Sequence, residues 1–163
     1  MSAIALRPAI PADAPAIGAV FDAAVGVGWT YLGDLASKPM FTAQDWERLI
    51  AEHLPPDALL VAVDESEGVV GYTAVHAMDG EMFLLFVHPA HAGRGVGRAL
   101  LAAAHDALLT TGCRQAFLFV HEQNERALSV YKAAGYRPDG SVRASEFRGT
   151  PIRELRLVKQ LAP

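Results

Sequence analysis

Residues Phe86-Val87-His88-Pro89-Ala90-His91-Ala92-Gly93-Arg94-Gly95-Val96-Gly97-Arg98-Ala99-Leu100-Leu101 run from an apolar segment, through three glycines at alternate positions, into a pattern of helical period. Val96, Leu100, Ala103 and Ala107 recur as one face of a helix does, and Gly112 stops it. The segment ahead of the loop, residues 81–87, shows no alternation of polarity, which implies a strand covered on both faces and central in a sheet. Glycines at every second position let the backbone come close to a ligand and turn several N–H groups toward one point. The start of a helix adds unpaired donors and a positive dipole end, and Arg94 and Arg98 add charge. Together these favour a phosphate or pyrophosphate; the plain alternative is a turn that only packs helix on sheet.

Two familiar phosphate loops do not fit. A Walker loop ends Gly-Lys-Ser or Gly-Lys-Thr, and Gly97 is followed by Arg98. A dinucleotide fingerprint needs a third small residue inside a parallel unit, and the strands that precede this loop read as antiparallel.

Upstream, residues 59–63, 69–76 and 81–87 are strands of a meander, joined at Asp64-Glu65-Ser66-Glu67-Gly68 and at Asp79-Gly80. Nearer the N-terminus, a strand over residues 3–8 precedes Pro11, Asp13 and Pro15, which suit the start of a helix carrying Ile17, Val20, Phe21 and Ala24. From residue 25 to 39 the pattern is lost among Gly26, Gly28, Gly33 and Pro39. Trp29, Tyr31 and Leu32 are interleaved there, and the two aromatics either line a binding surface or cover the core. Thr42 then caps a second helix with Trp46, Leu49 and Ile50. Downstream come a strand over 115–120, a helix over 124–134 ended by Gly135, and strands over 142–147 and 152–158 around Gly149-Thr150-Pro151. The expected fold is α/β (α+β): a mixed, mostly antiparallel sheet of about seven strands with helices on both faces, ordered β-α-α-β-β-β-α-β-α-β-β, as one domain over residues 1–163.

The second chemical signal is Asn124-Glu125-Arg126-Ala127-Leu128-Ser129-Val130-Tyr131. Steps of three and four place Asn124, Ala127 and Tyr131 on one helical face, which offers an amide, a gap and a phenol. Read singly, Asn124 is an ordinary N-cap and Tyr131 a core aromatic.

The glycine loop resembles motif A of the GNAT acetyltransferases, which reads Arg or Gln, any two residues, Gly, any residue, then Gly or Ala. Gly95 and Gly97 take the glycine positions, while Ala92 stands where the motif carries Arg or Gln, a departure that removes a side chain and leaves the backbone donors. The resemblance implies that Ala92, Gly93, Arg94, Gly95, Val96, Gly97 and Arg98 hold the diphosphate of acetyl-CoA, in a cleft between the fourth and fifth strands. It also implies that Phe86 and Val87 offer main-chain groups to the pantetheine arm. The helix resembles motif B, in which an Asn contacts the cofactor beside the small Ala127 position and Tyr131 serves the departing thiolate. Glu81, six residues before Val87, is similar in spacing to the catalytic Glu of the histone-modifying branch, and is the candidate acceptor of the amine's proton, with His121, Glu122 and, less so, His76 as competitors. The alternative for Glu81 is a solvated turn residue.

The implied reaction is direct attack of an amine on the thioester, its oxyanion met by main-chain N–H groups of the splayed strand. The expected acceptor is the primary amine of a small molecule. The alternatives are an N-terminal or lysine amine of a peptide, which needs an open groove where residues 25–53 lie, and a module that binds an acyl-CoA without turnover.

Composition narrows the rest. The scattered cations and a formal charge of −4 give no basis for nucleic-acid binding, and no apolar run is long enough for a membrane span. One cysteine, Cys113, rules out an internal disulfide and reads as structural, so a cytoplasmic setting is expected. The six histidines form no metal-ligand pattern, so no metal is expected, and His88 and His91 read as loop surface. A homodimer is one assembly that the resemblance allows.

Overall fold

The structure, a computed structural model, describes residues 3–162. Strand β1 (Ile4–Pro8) is followed by helices α1 (Ala14–Gly28) and α2 (Ala43–Glu52), then by strands β2 (Ala58–Asp64), β3 (Gly68–His76) and β4 (Glu81–Val87). Helix α3 (Val96–Thr110), strand β5 (Gln115–His121), helix α4 (Glu125–Ala133) and strands β6 (Arg137–Phe147) and β7 (Thr150–Gln160) complete the chain. The seven strands form one sheet in the order β1-β2-β3-β4-β5-β7-β6, antiparallel throughout except at β4 and β5. The element order and mixed sheet are those expected from the sequence, and β4 occupies the middle of the sheet.

Alternation along the strands sorts the core into two layers. Tyr72 and Ala74 of β3 and Leu59 and Val61 of β2 meet Ile17, Val20 and Phe21 of α1 and Trp46 and Ile50 of α2. On the other face, Val75, Met82, Leu118 and Val120 meet Leu101, Ala104 and Leu108 of α3, with Leu128 of α4 packed against them. Two glycines allow this closeness. A Cβ at Gly71 would lie 2.9 Å from Leu100 Cδ1 and 3.0 Å from the Phe86 carbonyl, so α3 can lie directly on β3 only because none is there. A Cβ at Gly18 would meet the Trp46 indole nitrogen at 2.9 Å, which seats α2 against α1.

The structure departs from expectation in two segments. Helix α1 runs on to Gly28, because neither Gly26 nor Gly28 takes a positive φ and Val25 is buried among its neighbours, so burial holds the last turn against two weak helix formers. The following residues 30–37 are a 3₁₀ segment kinked at Gly33 and not an open loop. The last two strands are longer than the pattern suggested and turn at Arg148-Gly149, with Thr150 and Pro151 already inside β7. Thr42 caps α2 through a capping box with Asp45. No helix among the described residues is long and apolar enough to cross a membrane.

Candidate active site

Strands β4 and β5 are joined at one end only. Glu81 pairs with Phe117, whose N–H donates to the Gly80 carbonyl at 3.0 Å, and beyond this joint no ladder pairs them. The edge of β4 therefore faces a gap. His88 N–H donates to the Val70 carbonyl at 2.8 Å, and hydrogen bonding alternates along an antiparallel pair, so Phe86 and Leu84 turn their main chain to β3. Val87 and Leu85 turn theirs to the gap. Of the two residues expected to offer main-chain groups, Val87 does so in this geometry; Phe86 presents its ring, and Leu85, which the sequence reading passed over, takes the main-chain place.

The gap holds a cavity of about 220 Å³, walled by Phe86, Trp29, Gly93, Gly97, Asn124 and Tyr131 among others. At its mouth the loop enters α3 with Gly93 at φ 76° and Gly95, the N-cap of α3, at φ 85°, both in the left-handed region that a side chain resists. The N–H groups of residues 93–98 have no acceptor among the described residues, and no side chain caps the helix. Gly97 is different: a Cβ there would meet only Val87 Cγ2, at 3.5 Å, so the chain itself has room for it and the missing side chain keeps the cavity open. The surroundings suit a diphosphate, with unpaired donors at a helix start and no anionic neighbour lining the wall.

The remaining loop residues divide. Ala92 lines the cavity, whereas Val96 sends its side chain into the core beside Ala62, Val70 and Leu100, leaving only its N–H at the loop. Arg94 and Arg98 are exposed and stand outside the cavity wall. His91, expected at the surface, is buried: its Nε2 lies 2.8 Å from Glu67 Oε2 in the β2–β3 turn, and it backs the cavity. Nothing local in the sequence signals that contact across 24 residues. His88 accepts a hydrogen bond from Ala90 N–H, and among the described residues no cluster of His, Cys, Asp and Glu could hold a metal ion. Cys113 is half-buried and donates its thiol proton to the Ala77 carbonyl at 3.1 Å.

On α4, Asn124 Oδ1 accepts the Ala127 N–H at 3.1 Å, so Asn124 is the N-cap and still lines the cavity beside Ala127. Tyr131 reaches the same cavity, and its hydroxyl makes no hydrogen bond among the described residues. Burial pushes its phenol well above the ordinary tyrosine range, so it holds its proton at neutral pH. The neighbouring Tyr136 is instead tied to His105 Nε2 at 2.7 Å.

The four groups considered as proton acceptors fall in different places. Glu81 stands at the closed end of the wedge, half-buried and outside the cavity beside the glycine loop, and burial raises its carboxyl above the usual range against the opposing pull of His76 and Arg143. His121 closes β5 at the open end, where its Nδ1 lies 2.6 Å from the Tyr31 hydroxyl and Trp29 packs on its ring at 4.3 Å. Burial lowers its pKa, with Glu154 opposing. Glu122 is exposed and pairs loosely with Arg153 at 3.4 Å, and His76 stacks on Phe83 at 4.1 Å.

A strand that breaks from its parallel neighbour, a glycine loop of unpaired amides and a tyrosine on the next helix now stand around one cavity. The Acetyltransferase (GNAT) family model matches residues 28–136, which include all three. The chain belongs to the GNAT family. That family takes acetyl-CoA as its acetyl donor. A mycothiol acetyltransferase from Propionibacterium freudenreichii subsp. shermanii is 37% identical over 100 residues, which make up 58% of this chain and 30% of that protein. The chain thus spans less than a third of that relative. Among solved structures, a GCN5-related N-acetyltransferase from Kribbella flavida superposes with a TM-score of 0.74 at 26% identity, covering 98% of each chain. The yncA structure from Salmonella typhimurium, which contains its cofactor acetyl-CoA, gives a TM-score of 0.76 at 20% identity over 99% of this chain and 96% of that one.

This GNAT site includes residues that motif reading did not assign. Leu85 and Val130 are ordinary apolar residues in sequence, and their strand and helix alone bring them to the cavity. Trp29 and Tyr31 were visible as aromatics among glycines. What the sequence lacked was their common partner, His121, 90 residues from Tyr31.

Proposed function

We propose that this GNAT protein transfers the acetyl group of acetyl-CoA to the primary amine of a small-molecule acceptor by direct attack on the thioester. The observation that carries the reading is the partnerless Tyr131 hydroxyl, in the same cavity as Gly93 and Gly97, whose loop amides are also unpaired. Free amides at a helix start favour an anion, and a phenol in the same cavity supplies a proton beside it. The diphosphate lies on the amides of residues 93–98, and the thioester beside Phe86 and Tyr131. As the amine's lone pair forms the C–N bond, the main-chain N–H of Val87 or Leu85 supports the charge on the carbonyl oxygen. Glu81 accepts the proton shed by nitrogen through intervening water, and Tyr131 protonates the sulfur as the C–S bond breaks. Water then returns the proton from Glu81 to Tyr131, so protons and charge balance over the cycle.

A small acceptor is favoured by the roof over the site. Tyr31 is tied to His121, and Arg148 of the β6–β7 turn donates to the Pro39 carbonyl, so the 30–39 segment spans the face that a peptide would need to cross. Calorimetry with CoA tests the first cavity, and thiol release from acetyl-CoA with a panel of amines tests the reaction. Absence of heat with CoA, or no amine-dependent thiol release despite binding, would refute the respective part.

A further inference from the structure

A second cavity, of about 290 Å³, lies on the α2 side of β4. Six apolar side chains line it, Phe21 from α1, Phe41 ahead of α2, Trp46 and Leu49 of α2, and Phe83 and Leu84 of β4, and Asp45, Arg48 and Glu52 of α2 complete the lining. Two consecutive β4 residues can face it because the strand is bulged. Leu84 pairs with Ala74 and Met82 with Val75, which leaves Phe83 as the extra residue. Phe21 of this lining meets Phe86 of the cofactor-side cavity edge to face, with centroids 5.0 Å apart.

We infer that the second cavity seats the body of the acceptor, and that this acceptor is a primary amine carried on an aromatic ring by a short tether. The inference rests on the acetyl-transfer reading of the first cavity and adds the substrate class. Leu84 and Phe86 are two residues apart on one strand face, about 6–7 Å. An arylethylamine spans roughly 5 Å from ring centre to nitrogen at ordinary bond lengths. A ring held over Leu84 therefore brings its amine to the level of Phe86, where the thioester edge of the first cavity begins. The rim carries charge of the required sign: Asp45 and Glu52 against Arg48, with Glu81 two residues before Phe83 on the same strand. Asp45 Oδ2 is taken by Thr42, and its Oδ1 has no partner among the described residues. A sugar's hydroxyls set against Phe21, Phe41, Trp46, Leu49, Phe83 and Leu84 would be desolvated without partners on that part of the wall, whereas an aromatic ring is at home there.

The test uses the full chain and initial rates of thiol release from acetyl-CoA with 2-phenylethylamine, tryptamine, propylamine, ethanolamine and glucosamine. The expected kcat/KM for the two aromatic amines exceeds that for ethanolamine by about tenfold or more. Phe41→Ala and Leu49→Ala are each expected to raise KM for 2-phenylethylamine several-fold while KM for acetyl-CoA holds. Two variants guard against one that fails to fold, and circular dichroism confirms each. Equal kcat/KM across the panel, or a preference for glucosamine, with CoA binding intact, overturns the acceptor class and leaves the transferase reading standing. Loss of CoA binding in the wild type removes both. If hexanoyl-CoA outperforms acetyl-CoA and Leu49→Ala reverses that order, the cavity holds an acyl chain and the inference is wrong.

Discussion

Gly80→Ala tests whether the wedge between β4 and β5 is set at its closed end. Gly80 has φ +79°, and a Cβ there would sit 2.8 Å from the Gln115 carbonyl oxygen, a backbone atom of β5. The same glycine's carbonyl accepts Phe117 N–H, the hydrogen bond beside the single pairing of the two strands. Two costs add: about 1–2 kcal/mol for a side chain in the left-handed region, and about 1–3 kcal/mol for forcing a methyl against an atom that cannot rotate away. Reduced entropy of the unfolded chain returns about 0.4–1 kcal/mol. The expected net loss is roughly 1–4.6 kcal/mol, a fall in Tm of roughly 2–18 °C for a domain of this size. Gly112→Ala is the internal control, because Gly112 has φ +88° and a Cβ there meets nothing within 4 Å, so it carries the backbone strain alone. Urea titrations at unchanged m-value give the two losses. Gly80→Ala should also weaken CoA binding, since the splay hinges there. If it proves no less stable than Gly112→Ala, the joint is not what fixes the gap.

Tyr131→Phe keeps the ring and removes the proposed proton donor; kcat should drop by roughly 10²-fold or more while the CoA dissociation constant from calorimetry stays within about twofold. Gly97→Leu puts a side chain into the cavity where the fold has space for a Cβ, so CoA affinity should fall at least about tenfold with stability little changed, Leu being the better helix former. In its proposed role as proton acceptor Glu81 must be ionised, and burial raises its pKa, so wild-type kcat/KM should decline on acidification from a pH above the ordinary carboxylate range. Glu81→Gln should abolish that limb and lower kcat by about 10²-fold; an unchanged acid limb in the variant would transfer the role to another group.

The features legible in the sequence are those that rest on local chemistry. Alternate glycines before a helical period placed the loop between β4 and α3, and Thr42, Asn124 and Gly112 marked helix ends because caps are read within three or four residues. Asn124, Ala127 and Tyr131 reach one cavity for the same reason, since helical spacing alone aligns them. What the sequence concealed depends on partners far along the chain. His91 is buried by Glu67, Tyr31 is fixed by His121, and Val25 keeps α1 helical past two glycines because the core covers it. The bulge at Phe83 belongs to the same group: a run without alternation hides the residue at which the face changes, and only pairing with β3 reveals it. That one extra residue turns Phe83 and Leu84 to the α2 side and leaves Leu85 and Val87 with free main-chain groups on the gap. A shift of a single position in β4 would exchange the two sets, so the same bulge governs both the donor side of the site and the space assigned to the acceptor.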